Sequence, residues 1–234
     1  MLSVSRTEEK FLISQAQYVA LRGKLSQIMK HDAESKAIKY PVRSLYFDSL
    51  DNRDYYEKMA GEEIRKKIRI RSYDVGMGKC KLEIKKKRGD AQNKISLWIT
   101  NDEAKRLSKG EYKVLLKHFK NETLKTAMEA YTEMVSGHYK PVVMVEYDRI
   151  AFTYPIFNTR ITFDMNVRSS ETDFDLFEDK INYTKVLDEK VILEVKYNGK
   201  LMGFISEILK PFRLERTAVS KYCLSRINFY EFDY

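Results

Sequence analysis

The chain has 234 residues, a length typical of one domain or of one domain with a helical appendage. Hydrophobic residues make up 43% and charged residues 33%, with only 9 Gly and 4 Pro, which excludes a disordered, collagenous or low-complexity chain. The 43 Lys and Arg against 34 Asp and Glu give a formal net charge of +9, and this excess predicts a polyanionic partner such as nucleic acid, a nucleotide, polyphosphate or a membrane surface.

Hydrophobic periodicity predicts a strand over 3–13 and then an amphipathic helix over 14–30 that begins at a Ser14 cap. The apolar face of this helix consists of Tyr18, Leu21, Leu25 and Ile28. The further predicted strands are 40–48, 63–73, 79–87, 94–100, 141–154, 159–167 and 190–197. Residues 74–78 read as a hairpin loop, and the sheet is expected to be mostly antiparallel.

The remaining periodic segments predict helices. A short helical turn over 54–60 ends at Gly61, and a tail over 201–227 is interrupted at Pro211. Three helical segments are predicted over 101–109, 111–120 and 123–136, capped at Asn101 and at Asn121 or Thr123. We therefore expect one α+β domain over 1–234 with a helical insert at about 101–137.

The sequence offers no signal for a membrane span, a leader peptide or a zinc site. No apolar run is long enough for a transmembrane helix, and the first residues lack the apolar stretch of a signal peptide. Cys80 and Cys223 form no CxxC pair, and the histidines at 31, 118 and 138 are scattered. We expect a reducing, cytoplasmic setting.

Five predicted strands carry charged side chains on the face opposite their apolar ones. The alternating polar and charged sets are Arg6, Glu8 and Lys10; Arg65, Lys67, Arg69 and Arg71; Lys81, Glu83, Lys85 and Lys87; Arg160, Thr162 and Asp164; and Glu194 and Lys196. Clustered like charges destabilise a sheet unless an anion neutralises them. A closed antiparallel barrel would turn these faces inward and make a tunnel that binds phosphate chains, whereas an open sheet would leave them as a solvated basic surface. The acids Glu8, Glu83 and Glu194 are candidate ligands for a divalent metal that bridges phosphates.

The motifs on these strands follow one another in order over residues 6–222. They are Arg6-Thr7-Glu8-Glu9-Lys10-Phe11, Ser44-Leu45-Tyr46-Phe47-Asp48, Gly61 with Arg69-Ile70-Arg71-Ser72-Tyr73, Leu82-Glu83-Ile84-Lys85, Tyr147-Asp148-Arg149-Ile150-Ala151-Phe152, Arg160-Ile161-Thr162-Phe163-Asp164, Leu193-Glu194-Val195-Lys196 and Ser220-Lys221-Tyr222. This order resembles the VTC branch, the polyphosphate polymerase domain, of the triphosphate tunnel metalloenzyme (CYTH-like) superfamily. Arg6 stands where the general superfamily pattern Glu-x-Glu-x-Lys has its first Glu, and this departure favours the polymerase-like branch.

The resemblance implies a fold and a set of roles. The fold is an α+β triphosphate tunnel, an antiparallel β-barrel with helices packed outside. The catalytic phosphate contacts that it implies are Lys10, Arg69, Arg71, Lys85, Arg160, Lys196 and Lys221. Further substrate contacts are expected from Lys58, Arg65, Lys67, Arg149 and Ser220. Glu194 is the first candidate metal ligand, with Glu8 and Glu83 next, and the metal is Mn²⁺ or Mg²⁺.

The resemblance also implies a reaction and partners. The expected reaction moves the γ-phosphoryl group of ATP onto a polyphosphate chain, so ATP and inorganic polyphosphate are the expected partners. The chain looks like a stand-alone bacterial member, and a membrane-protein partner supplied by another chain, which would hold it at the inner face of the membrane, is left open.

Three alternatives stay open at the level of sequence. The same tunnel could hydrolyse inorganic triphosphate, a nucleoside triphosphate or thiamine triphosphate. It could also bind polyphosphate or an inositol phosphate without turnover. Nucleic-acid binding ranks last, because the chain shows no helix-turn-helix, KH or RRM signature.

Overall fold

The computed structural model describes residues 6–32, 38–73, 75–89 and 91–230. Residues 3–5 of the first predicted strand and Asp74 of the predicted hairpin loop lie outside them. The strands are β1 (Arg6–Ser14), β2 (Lys30–His31), β3 (Lys39–Asp48), β4 (Ile64–Ser72), β5 (Lys79–Arg88), β6 (Ala91–Thr100), β7 (Lys140–Tyr154), β8 (Thr159–Ser170), β9 (Thr184–Lys185) and β10 (Lys190–Asn198).

Within the described residues these strands form one sheet with the hydrogen-bonded order β1-β10-β8-β7-β3-β4-β5-β6. The short strand β2 pairs with β7, and β9 pairs with β8. The pairs β1–β10, β10–β8, β3–β4, β4–β5 and β5–β6 are all antiparallel, which confirms the predicted strand direction.

The α-helices are α1 (Gln15–Leu25), α2 (Arg53–Met59), α3 (Asn101–Ser108), α4 (Leu124–Ser136), α5 (Gly203–Leu209) and α6 (Lys221–Tyr230). Short 3-10 helices occupy Val75–Met77, Tyr112–His118, Asn121–Thr123, Ile156–Asn158 and Lys210–Phe212. Among the described residues, no helix combines the length and the apolar character needed to cross a bilayer.

The chain divides into two compact units, each with its own core. The first unit comprises Met1–Pro41, Tyr147–Val167 and Lys185–Ser220. Its core joins the apolar faces of β1, β8 and β10 to helices α1 and α5. The buried side chains at its centre include Phe11, Leu21, Phe163, Leu193 and Ile205. Each large apolar side chain buried in this way contributes about 1.5–3 kcal/mol relative to exposure.

The second unit comprises Val42–Glu146, Arg168–Thr184 and Lys221–Tyr234. Its core joins the apolar faces of β3, β4, β5 and β6 to the helices that follow β6. The buried strand residues include Phe47, Ile70 and Leu82, and the helices contribute Leu107 and Met134. In this unit the helices cover the apolar face of the strands, so the charged face of the same strands lies opposite the core.

Several element boundaries differ from the sequence prediction: β6 starts at Ala91 and β8 ends at Ser170, and a 3-10 helix over Tyr112–His118 stands where a helix over 111–120 was predicted. Three more differences concern helix ends. Helix α1 ends at Leu25, so Ile28 is 37% exposed and Met29 is buried instead. Thr100, rather than Asn101, caps α3, because its hydroxyl accepts the backbone N–H of Glu103 while the Glu103 carboxylate accepts that of Thr100. The predicted helical tail is divided, because the backbone turns left-handed at Arg213 with φ 47° and α6 starts only at Lys221.

Candidate functional site

The second unit carries a cluster on the charged face of β4 and β5, which we call the β4–β5 cluster: Arg69, Arg71 and Glu83. Arg69 lies opposite Glu83 in the strand register. Its Nε and Nη2 atoms lie 2.8 Å and 2.7 Å from Oε2 of Glu83. The Arg71 Nη1 atom lies 4.0 Å from the same oxygen, so one carboxylate holds both arginines. Lys94 on β6 approaches the other oxygen, Oε1, at 2.5 Å.

Glu83 is ionised within this cluster although it is only 2% exposed. Burial acts to raise the pKa of its carboxyl group, but the Arg69 and Arg71 guanidinium groups outweigh burial and hold the pKa well below its usual range. The sequence motif made Glu83 a candidate metal ligand. Its contacts instead suit a residue that positions the arginines.

Hydroxyl groups orient the two arginines from the neighbouring strand and from the end of β4. Arg69 donates to the Tyr46 hydroxyl at 2.9 Å, and Arg71 donates to Ser44 Oγ at 3.2 Å and to the Tyr73 hydroxyl at 3.5 Å. Burial acts to raise the pKa of Tyr46, but Arg69 and Arg71 outweigh it and lower the pKa to about 8. The direction of this shift follows from the excess of cationic groups around the Tyr46 hydroxyl.

A row of lysines runs beside the β4–β5 cluster, which we call the lysine row: Lys67, Lys85 and Lys94. Lys67 lies opposite Lys85 in the register of β4 and β5, and Lys85 lies opposite Lys94 in the register of β5 and β6. Opposed side chains in an antiparallel pair are about 5 Å apart at Cβ, so these like charges repel one another, although the ion pair of Lys94 with Glu83 offsets part of this repulsion. Binding of an anion would relieve this repulsion.

The first unit carries a second charged cluster, which we call the β1–β10 cluster: Glu8, Lys10, Glu194 and Lys196. The register of β1 and β10 sets Glu8 opposite Lys196 and Lys10 opposite Glu194. The Lys196 ammonium lies 2.6 Å from Glu194 and 3.7 Å from Glu8, while Lys10 lies 3.1 Å from Glu8. Burial acts to raise the pKa of Glu194, but Lys196, Lys10 and Arg149 hold it well below its usual range.

Arg149 is anchored beside the β1–β10 cluster. Its guanidinium donates to both carboxylate oxygens of the fully buried Asp164, at 2.6 Å and 2.8 Å, and lies 3.9 Å from Glu194. Burial acts to lower the pKa of Arg149, but Asp164 outweighs it and raises the pKa well above its ordinary value. The predicted substrate contact is therefore a fixed cation with a structural partner.

The other predicted site residues are distributed over several elements. Arg160 on β8 forms an ion pair with Asp32 at 2.6 Å. Arg65 on β4 donates to the backbone carbonyl of Glu62 at 2.5 Å. Lys67 lies over the Tyr222 ring at 5.5 Å.

Three more predicted residues lie in or beside helices. Lys58 is in the last turn of α2 and is half-buried. Ser220 is buried, and Lys221 begins α6. The structure therefore brings together Arg69 and Arg71 in one unit, and Lys10, Lys196 and Glu194 in the other.

The chemistry of the donor set bears on the implied metal. Among the described residues, no group of three or more His, Cys, Asp and Glu side chains is arranged to hold an ion. Mg²⁺ and similar hard cations commonly take one or two protein carboxylates and complete their shell with water and substrate phosphates. Glu8 and Glu194, which lie on neighbouring strands and share Lys196, fit this pattern. Glu83 does not, because its contacts in the described part of the chain are with two arginines and a lysine rather than with a second carboxylate.

Two buried Asp–Tyr pairs in the second unit were not predicted from the sequence. The Tyr222 hydroxyl donates to Asp48, which also accepts the backbone N–H groups of Asp54 and Tyr55. The Tyr139 hydroxyl donates to Asp54 at 2.8 Å. Burial, together with the nearby Asp48 carboxylate, raises the pKa of Asp54 to about 7. The Ser44–Asp48 and Ser220–Tyr222 motifs contained one partner each, but nothing in their spacing connects them.

Comparisons with known proteins bear on the family and the fold. A sequence profile of the family described as the VTC domain matches residues 5–230 of this chain. A search of curated protein sequences found no significant match.

Two solved structures resemble this one over nearly their whole length. A candidate adenylate cyclase from Bacillus halodurans aligns with a TM-score of 0.52 and 16% identity, over 92% of this chain and 95% of that one. A candidate adenylyl cyclase from Hippeastrum, described as having a dominant triphosphatase activity, aligns with a TM-score of 0.58 and 15% identity, over 94% of this chain and 95% of that one. At these identities the likeness concerns the fold alone, and it confirms the predicted α+β triphosphate tunnel fold. The predicted closure into a barrel is not seen in the described residues, where the hydrogen-bonded strand order runs from β1 to β6 without pairing these two strands.

Proposed function

The chain belongs to the VTC domain family, and we propose that it is a metal-dependent phosphotransferase that extends polyphosphate with the γ-phosphoryl group of ATP. The observation that carries this proposal is the β4–β5 cluster, in which a buried carboxylate fixes two arginines beside a row of three lysines. Such an arrangement supplies what phosphoryl transfer needs from a protein, namely positioned groups and neutralised charge.

The arginines and lysines divide the work of binding. The planar guanidinium groups of Arg69 and Arg71 suit bidentate contacts with phosphate oxygens, and Glu83 limits their freedom before substrate arrives. The lysine row supplies point charges along a chain of phosphates. We propose further phosphate contacts from Lys10, Arg160, Lys196 and Lys221, and supporting contacts from Lys58, Arg65, Arg149 and Ser220.

In the proposed reaction, an ionised terminal oxygen of polyphosphate attacks the γ-phosphorus of ATP. A new P–O bond forms, the bond between that phosphorus and the β–γ bridging oxygen breaks, and ADP leaves with the electron pair. The attacking oxygen carries no proton, so the reaction requires no general base. This agrees with the absence of any histidine or cysteine from the predicted site.

A divalent metal, Mn²⁺ or Mg²⁺, would be held by Glu194 with Glu8, and when bound it would neutralise and orient phosphate oxygens. Lys196 contacts both carboxylates and would hold them in position for such an ion. A membrane-protein partner, with a location at the inner face of the membrane, is a hypothesis that rests on the family resemblance alone.

Hydrolysis of a triphosphate is the second candidate function. It is favoured by the structural likeness to the Hippeastrum protein, whose described dominant activity is that of a triphosphatase. The same cationic groups would serve both reactions, and only the nucleophile would differ, with water in place of a phosphate oxygen.

The test is incubation of the full chain with ATP and Mn²⁺, followed by gel staining for polyphosphate and by assays of ADP and orthophosphate. We expect a ladder of long polyphosphate products, with one ADP released for each phosphoryl group transferred. Arg71→Ala should abolish the ladder, whereas Arg106→Ala, which removes an equal charge from a partly exposed position on α3, should retain it. Orthophosphate release without polymer would instead assign hydrolysis, and tripolyphosphate binding without ATP consumption would assign a binding module.

A further inference from the structure

Trp98, the single tryptophan of the chain, lies on the polar face of β6. Its neighbours Leu97 and Ile99 are 3% and 2% exposed and point into the core of the second unit, while Trp98 is 46% exposed. Because side chains alternate along a strand, Trp98 shares its face with Lys94, which contacts Glu83. A large aromatic ring therefore lies on a face whose other members are polar.

Cationic side chains surround this ring. Lys81 lies opposite Trp98 in the strand register, and its ammonium is 4.5 Å from the ring centroid. The Lys79 ammonium is 5.1 Å from the same centroid. Arg71 lies opposite Lys81 on the other side of β5, so Arg71, Lys81 and Trp98 form one row across three strands.

This row is next to the Arg69–Glu83 pair. Arg71 and Arg69 are two residues apart on β4, or roughly 7 Å along the strand, and Trp98 is two strands away from Arg71, or roughly 10 Å across the sheet. A nucleoside triphosphate presents a flat base at one end and phosphates at the other, separated by a ribose. The Trp98 ring, two strands away from Arg71, matches that order of groups, with the base on the ring and the phosphates on the arginines.

We propose that Trp98 is a stacking surface for the base of a nucleoside triphosphate whose phosphates bind the β4–β5 cluster. This inference rests on the proposed function and names the part of the same site that reads the nucleotide. The base stacks on the indole ring, and the ammonium groups of Lys79 and Lys81 move from the ring to the phosphates. Stacking on an aromatic side chain tolerates different bases, because every base has a π face.

Exposed aromatic residues also occur without a ligand, held by cation–π contacts alone. The two accounts differ in one measurable respect. A stacking surface contributes to binding of a nucleotide and contributes nothing to binding of an inorganic triphosphate, which has no base.

The experiment is calorimetry of the full chain with ATP and, separately, with inorganic tripolyphosphate, for wild type, Trp98→Ala and Trp98→Phe. Loss of one base–aromatic stack typically lowers affinity by about tenfold or more. We expect Trp98→Ala to bind ATP with an affinity lowered by that factor and to bind tripolyphosphate as wild type does. Trp98→Phe should retain most of the ATP affinity. In wild type, ATP should quench the fluorescence of this single tryptophan more than tripolyphosphate does at saturation.

Two results overturn the inference while leaving the proposed function in place. In one, Trp98→Ala binds ATP like wild type; in the other, it loses ATP and tripolyphosphate affinity equally, which indicates a disturbed cationic face. Failure of wild type to bind either anion overturns the proposed function, and the inference with it.

Discussion

Glu194 lies 2.6 Å from the Lys196 ammonium and 3.9 Å from Arg149, and these contacts alone describe a structural ion pair. If Glu194 also holds a metal, its replacement should separate turnover from binding. Glu194→Gln should remove divalent-dependent turnover and leave metal-free tripolyphosphate binding intact or tighter, because a negative charge is lost. Calorimetry without metal and turnover assays with Mn²⁺ measure the two effects separately. Full Mn²⁺-dependent turnover in Glu194→Gln would reject the metal assignment, and Glu207→Gln, at an exposed position of α5, is the matched control.

Replacement of Arg71 should have the opposite effect to replacement of Glu194, with metal-free binding weakened as well. Arg71 is 7% exposed, lies 4.0 Å from a Glu83 oxygen and donates hydrogen bonds to Ser44 and Tyr73. Arg71→Ala should weaken tripolyphosphate binding with or without metal, by about 1.5–3 kcal/mol, the typical value of a hydrogen bond to a charged group. Calorimetry on variants whose thermal melting is unchanged measures this loss. Unchanged affinity would remove Arg71 from the binding site.

Asp54 makes the free energy of unfolding depend on pH. Its pKa is about 7 in the folded chain, whereas the ordinary pKa of an aspartate, which the unfolded chain restores, is 3.8. The folded state therefore binds the proton more tightly, so this stabilisation is complete below about pH 4 and is lost as the pH rises to about 7. The slope is at most about 1.4 kcal/mol per pH unit.

Asp54→Asn should remove this contribution, and thermal melting of both proteins between pH 4 and pH 8 measures it. We expect the difference in stability between wild type and variant to shift in favour of the variant as the pH rises. A difference that stays constant across this range would show that Asp54 is ionised throughout.

At the scale of elements, the capping box at the start of α3 fixes where the helical insert begins after β6. Thr100 and Glu103 exchange hydrogen bonds at 3.1 Å and 2.9 Å. Thr100→Ala should lower the free energy of unfolding by about 1 kcal/mol, whereas Thr100→Ser, which keeps the hydroxyl, should cost little. Chemical denaturation measures both. Equal loss in the two variants would show that the methyl group, rather than the cap, is responsible.

Hairpins explain which contacts within the site are predictable from the sequence. The predicted loop centred near Gly76 implies that Arg69 lies opposite Glu83 and Arg71 opposite Lys81, as the register shows. In the same way, Arg149 and Asp164 are equidistant from the turn over 155–158, and they form the buried ion pair. Local turn geometry thus determines these pairs, although the sequence analysis predicted only the strands that carry them.

Contacts between elements distant in sequence are not predictable in this way. The Asp48–Tyr222 and Asp54–Tyr139 pairs join residues that are 174 and 85 positions apart. No periodicity or spacing relates such residues, because the packing of α2 and α6 with the strands brings them together. The end of α1 at Leu25 is likewise not predictable from local sequence, because the residues that follow, Lys30 and His31, pair with the distant strand β7.

At the scale of the whole molecule, the alternation of apolar and charged residues predicted the apolar faces of the strands, with the exception of Ile64, which is 65% exposed; it did not predict that these faces form two cores. In each unit, helices cover the apolar faces of strands, and the charged faces of those strands carry the two clusters. Among these side chains, the β4–β5 cluster and the lysine row together carry five cations and one carboxylate, whereas the β1–β10 cluster has two of each. The choice between polymerisation and hydrolysis depends on the nucleophile, which no residue pattern in the chain specifies.

The central claim is that these charged faces bind a phosphate chain through electrostatic attraction. Calorimetric titration of the full chain with inorganic tripolyphosphate at increasing NaCl concentration tests it most directly. Salt shortens the Debye length from about 30 Å at 0.01 M to about 3 Å at 1 M, so the half-exposed lysines lose much of their attraction. We predict tight binding at low ionic strength and an affinity that falls steadily as salt is added. Absence of binding, or an affinity that does not change with ionic strength, would contradict the account.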